Sequence, residues 1–196
     1  MRINDQEVKR IGRGEFSAAY RVVDSDIVYI ATVTNDDSAN DNTKEIYSHI
    51  DSKHVPYMST VDTEVYMRGY GYVNLYESRY YMPLTAQHMQ AWKEYKILSS
   101  AWEKISRENM HLIMKAEHGE YGMRHAVCEL FIRYLEDNDL VSSELIRALD
   151  LIHTWASAYG SGFLFEFPKQ NLRVDSEGNL ILLDIVFFRK PERNRW

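Results

Sequence analysis

The spacing of apolar residues changes period twice along this chain, and that restricts the folds open to it. Up to Pro83 the apolar positions alternate or form short blocks, as strands require. Residues 6–12 and 16–23 flank a glycine-containing turn, and Ile27–Val33 follows the turn Asp24-Ser25-Asp26. A polar stretch, 35–43, leads into a short predicted helix with Thr43 as its N-cap and Glu45 in its first turn. A second β segment runs through Val61–Met67 and Tyr72–Tyr81, and Pro83 closes it. From residue 86 to 106 the apolar positions Met89, Trp92, Tyr95, Ile97, Leu98, Trp102 and Ile105 come close to a helical stripe. Residues 123–136 and 142–159 read as two more helices, the last ended by Gly160 and Gly162. The chain then returns to strand. The expectation is an α+β protein with a β-rich N-terminal lobe over 1–84 and a short helical C-terminal lobe over 85–196.

Composition removes several function classes. A hydrophobic fraction of 45% with 27% charged residues predicts a packed core rather than disorder. A net charge of −6 argues against a general nucleic-acid binder, which needs a basic footprint. The single cysteine, Cys128, allows neither an internal disulfide nor a cysteine zinc site. No apolar run reaches the length of a membrane span and no signal-peptide pattern opens the sequence, so a cytoplasmic chain without a membrane partner is expected.

Two stretches carry chemistry. In Ile11-Gly12-Arg13-Gly14-Glu15-Phe16-Ser17, two glycines in a strand–turn–strand setting let backbone N–H groups approach phosphate oxygens. A plain hairpin turn needing glycine explains the same residues equally well. The second stretch is EFPKQNLRVDSEGNLILLD, residues 166–184. Glu166 can orient a hydroxyl or take its proton, while Asn171 and Asp184 offer hard oxygen donors for Mg²⁺. Asp184 ends the apolar run Leu180–Leu183, where an acid is costly unless paired, metal-bound or capping a turn.

IGRGEFSAAY resembles the glycine-rich loop of protein kinases, and Glu166…Asn171…Asp184 resembles their catalytic loop and magnesium-binding acid in both spacings. More narrowly, GEFSAAY and the small C-terminal half resemble the early Ser/Thr kinases of T7-type podophages. The resemblance implies a minimal two-lobed kinase-like fold. It implies that Gly12, Gly14 and Phe16 cover a nucleotide and that the backbone of Tyr81-Met82-Pro83-Leu84 meets adenine. It implies Asn171 and Asp184 as magnesium ligands, Glu166 as catalytic base, and Glu45 as the helix acid that pairs with a strand lysine.

The sequence departs from that pattern in several places. Ile27–Val33 contains no lysine; Ala31 or Thr32 stands at the phosphate-binding position, with Arg13, Arg21 or Lys44 as substitutes. The catalytic aspartate is Glu166, preceded by Leu164-Phe165, the third loop glycine is Ser17, and Ile185-Val186 follow Asp184. The twelve residues after Asp184 leave no peptide-substrate platform. Together these favour a pseudokinase that binds and modulates a host protein. The alternative is an active Mg-ATP-dependent Ser/Thr or small-molecule phosphotransferase, and the third reading is an unrelated α+β domain.

Other features carry less. His111, His118 and His125 recur every seven residues but are interrupted by Gly119 and Gly122, which favours surface histidines over a metal site. Cys128 falls inside an apolar stripe and reads as a buried small residue. The tyrosine-rich stretch from Tyr66 to Tyr81 favours sheet packing over a protein-binding face. Arg189, Lys190, Arg193 and Arg195 form a basic tail, read as solvated.

Overall fold

The computed structural model describes residues 2–13, 17–33, 39–67, 71–117, 123–160 and 162–188, the side chains of 39–41, 63, 64 and 115–117 excepted. Strands β1 (Arg2–Ile3), β2 (Gln6–Arg13), β3 (Ser17–Val22) and β4 (Ile27–Val33) form an antiparallel meander. Helix α1 (Ala39–Ser48) follows, and then the hairpin of β5 (Met58–Met67) and β6 (Gly71–Arg79). β6 pairs with β4, so the curled six-stranded sheet has the order β1-β2-β3-β4-β6-β5. The chain is α+β, as its two hydrophobic periods require.

Three boundaries differ from the sequence expectation. Helix α1 starts at Ala39, so Thr43 lies inside it, fully buried, and does not cap it. β5 begins at Met58 rather than Val61, and its pairing slips between Thr60 and Asp62 and again between Asp62 and Val65. Bulges erase the period-2 pattern by which a strand is recognised. β6 stops at Arg79 rather than Tyr81, and Met82–Pro83 form a two-residue strand, β7, so Pro83 closes the β region from within a strand. Its place on a sheet edge tolerates the missing N–H.

The helices are α2 (Met89–Glu108), α3 (Met110–Glu117), α4 (Arg124–Asp137) and α5 (Ser143–Ala158). Ser142 caps α5, its hydroxyl accepting the Leu145 N–H at 3.3 Å. Short strands close the chain: β8 (Phe163–Phe165), a 3₁₀ turn at Lys169–Asn171, β9 (Leu172–Val174), β10 (Leu180–Leu182) and β11 (Val186–Phe188). β7, β9 and β10 make one small sheet, and β8 and β11 another.

Strand alternation divides the core. Ala18, Tyr20, Tyr29, Ala31, Val73 and Leu75 build a small cluster on one face of the large sheet. Ile30 and its cross-strand partner Tyr76 pack on the other face into a larger core shared with α1 and the later helices. That larger core crosses residue 84, since Ile46, Tyr47, Val55 and Met58 pack in it beside Leu84, Leu98 and Leu149. The loop after α1 is pinned from below. His54 Nδ1 lies 2.8 Å from the Leu180 carbonyl, and the His54 carbonyl accepts the Leu182 N–H at 2.8 Å.

Phe131, Phe163, Phe165, Phe167 and Trp102 interlock at the centre, with ring centroids between 5.3 and 6.3 Å apart and mostly inclined planes. Inclined aromatic packing adds to the burial term. Phe165→Ala should therefore cost about 3–5 kcal/mol in urea unfolding, while Phe187→Ala, at a 47% exposed site on β11, should cost under about 0.5 kcal/mol.

Candidate functional site

The segment 163–188 folds back on itself, and that fold-back assembles the site. β8 and β11 pair antiparallel with Phe165 opposite Val186. One step further, the Glu166 N–H donates to the Ile185 carbonyl at 2.8 Å. The 3₁₀ turn places the Asn171 carbonyl where it accepts the N–H groups of Leu183 and Asp184, at 3.0 and 3.2 Å. Glu166, Asn171 and Asp184 are thus held together by main-chain bonds, which fix position better than flexible side chains do. Asn179 and Gly178 close the β9–β10 turn, with Gly178 at φ 89° and Asp175 Oδ1 accepting the Glu177 and Asn179 N–H groups.

Helix α1 supplies the fourth member. Thr43, Ile46 and Tyr47 form the stripe it buries, and Ile50, just past its end, joins the same core. Lys44 lies three residues before Tyr47 on that same side; it is 6% exposed, and its Nζ is 3.8 Å from Asp184 Oδ1. Glu45, one residue on and about 100° around the helix, is exposed and lies against Tyr159, raising that phenol's pKa along with burial. The helix therefore presents a cation, not an acid, to Asp184. Among the described residues, no strand lysine pairs with Glu45.

Tyr47 completes the joint. It is fully buried, and its hydroxyl accepts the Ile185 N–H at 3.2 Å. Burial, and then the nearby Asp184 charge, push its phenol far above the usual range. Partial burial and the Asp184 charge likewise raise the Glu166 carboxyl. An acid that holds its proton more tightly than usual, beside a second acid, has the electrostatics of a proton acceptor tuned toward neutrality.

At the strand positions where a phosphate-binding lysine is expected, Ala31 belongs to the small core and Thr32 faces the α1 side in register with Ile30 and Tyr76. Thr32 is fully buried, and its Oγ1 has no hydrogen-bond partner among the described residues. The sequence placed Ala31 or Thr32 at this position without choosing between them, although a threonine in an apolar strand is itself a signal.

The remaining expected residues are scattered. Gly14 and Phe16 lie outside the described residues. Gly12 sits in β2 beside the register slip between Arg10 and Gly12, with Ala19 across from it. Met82 is 39% exposed and pairs with Val174 through β7, whereas Leu84 is sealed in the larger core. Met82 also lines a cleft of about 1140 Å³ with Arg21, Tyr57, Arg79, Tyr81 and Asp175, and none of Lys44, Glu166, Asn171 or Asp184 borders it. Lys169, in the same loop as Asn171, points to Trp92, its ammonium 5.3 Å from the ring.

No three His, Cys, Asp or Glu side chains gather to hold a metal among the described residues. Asp184, Asn171 and Glu166 carry oxygen donors of the type that a hard divalent cation takes. His125 packs on His153, centroids 6.1 Å apart, and His118 lies outside the described residues. Cys128 is fully buried and its thiol is pushed up by desolvation, so it is no nucleophile. The tyrosine hairpin divides: Tyr76 is core, while Tyr66 and Tyr72 pair across the strands at 5.7 Å and stay exposed. The basic tail from Arg189 lies outside the described residues. No helix among the described residues is long and apolar enough to cross a membrane.

The raised Glu166 pKa means that the folded chain binds this proton more tightly than the unfolded chain. Its contribution to stability therefore falls as pH rises through and above the ordinary carboxylate range. Glu166→Gln should raise the melting temperature by about 1 °C at about pH 7 and leave it unchanged near about pH 4, as a pair of thermal melts would show.

A comparison with protein-family models finds no match to this chain, and a comparison with curated proteins finds none either.

Proposed function

We propose that this chain is a kinase-like protein that binds magnesium–nucleotide at the Lys44–Asp184 site and phosphorylates a hydroxyl group. The observation that carries the reading is the convergence of Lys44 with Glu166, Asn171 and Asp184. It provides from a helix the cation that β4 lacks. The sheet adds support: a meander, a helix inserted after its third long strand, then a hairpin whose second strand enters between β4 and β5. A β-rich N-terminal lobe holding one helix is what the kinase resemblance implies.

Bound Mg-ATP would supply the electrophilic phosphoryl group. Asn171 and Asp184 would hold the cation, and Lys44, released from Asp184, would meet phosphate oxygens. Thr32 Oγ1, buried and unpartnered among the described residues, offers a further donor beside α1. Glu166, with its raised pKa, is suited to accept the proton that an attacking hydroxyl gives up. The rigid main-chain frame supports in-line positioning, on which phosphoryl transfer depends more than on covalent chemistry.

One observation favours the second reading, a pseudokinase that modulates a host protein. Lys44 and Asp184 pair with each other at 3.8 Å, so each charge already has a partner within the chain. Thermal melts with Mg-ATP separate the readings. At 100-fold over the dissociation constant, ligand adds about 2.7 kcal/mol, a rise of roughly 5–10 °C for a chain of this size. That rise should need Mg²⁺ and vanish in Asp184→Ala and Lys44→Met. A shift kept by Lys44→Met removes the observation on which the proposal stands. A Lys44-dependent shift without transfer of labelled phosphate to any protein or small hydroxyl leaves the pseudokinase, and no shift at all rejects nucleotide binding.

A further inference from the structure

We propose that the groove along α2 docks an acidic amphipathic helix of a partner protein. Lys93, Lys96 and Lys104 line one side of a cavity of about 630 Å³ whose floor is Ile97, Ala101 and Leu140, with Tyr134 at its end. The three lysines recur at helical spacing on one face of α2 and span roughly 16 Å, or three turns. Among the described residues none of them forms an ion pair with an acid. Lys104 instead lies 3.3 Å from the Tyr134 hydroxyl and 4.5 Å from the centre of its ring, and Lys96 sits 5.6 Å from the Trp92 ring. The neighbouring Arg107 differs, because Glu103 neutralises it one turn away.

Three uncompensated cations beside an apolar floor are anomalous on a chain of net charge −6. A partner helix with Leu, Ile or Phe on one face fills such a floor, and Glu or Asp on its flank meets the lysine row. Charge excludes the chain's own C-terminal residues: 189–196 carry four basic side chains and one acid. The apolar floor and the overall negative charge disfavour a phosphate backbone. This inference does not rest on nucleotide binding.

Fluorescence anisotropy with synthetic labelled helices of about sixteen residues tests it. The probe carries Leu along one face and Glu on the flanks. One control replaces Glu by Lys, a second replaces Leu by Ser, and labelled oligo(dT) is a third. The Glu/Leu helix should bind, and Lys93→Glu/Lys96→Glu/Lys104→Glu should weaken it about tenfold or more. Raising salt from about 0.05 to about 0.3 M should also weaken it, a test that needs no substitution. Asp184→Ala should leave it unchanged, which separates this site from the nucleotide site. A melting temperature for the triple variant close to that of the unaltered protein shows that it is folded, as expected for exposed positions. The proposal is overturned if the Glu/Leu helix fails to bind or if either altered helix binds equally well. It is also overturned if oligo(dT) binds more tightly, or if charge reversal and salt have no effect.

Discussion

The carbonyl oxygen of Asn171 accepts two main-chain N–H groups, those of Leu183 and Asp184, and the geometry of the site follows from this bifurcated contact. It ties a 3₁₀ turn to the residue after an apolar strand, across twelve residues of hairpin. A second tie, from the Glu166 N–H to the Ile185 carbonyl, fixes the other end. Once both bonds form, three polar side chains far apart in sequence have little freedom to separate. The aromatic cluster beneath, with Phe165 and Phe167 on either side of Glu166, anchors the frame in the larger core.

Helix α1 brings that frame under the sheet. Its buried stripe packs Ile46 and Tyr47 into the same core as Phe165, so the helix is set by apolar burial and the lysine beside the stripe is carried inward with it. A buried ammonium is costly unless a partner compensates it, and Asp184, itself partly exposed, is the acid within reach. The pair is thus a consequence of packing as much as of attraction. A ligand that separates the two charges must offer each of them another partner.

Much of the fold was legible because its segments obey one period at a time. The strands β3 and β4 and the helices α2, α4 and α5 lie where the pattern places them. Legibility failed where a second constraint intervened. Bulges blurred the start of β5, and α3, isolated between short polar breaks, gave too little pattern to recognise. At the site, the spacing of Glu166, Asn171 and Asp184 marked the residues that main-chain bonds bring together. The choice between Lys44 and Glu45 was harder, because adjacent residues on a helix differ by about 100° in direction. The buried positions Thr43, Ile46 and Tyr47 set which side of α1 faces the core, but the early helix start and the expected Thr43 cap concealed that phase.

The Tyr47 hydroxyl makes a bolt between two parts of the molecule that carry opposite charges. α1 holds Lys44 and the segment beyond Asp184 holds Ile185, and one buried hydrogen bond joins helix to segment. An outward swing of α1 would strand the Ile185 N–H in an apolar interior, so cation and acid travel as one body. If the site takes a ligand as proposed, helix and acid would be held in one arrangement beforehand, and little affinity would be lost to a sparsely populated competent state.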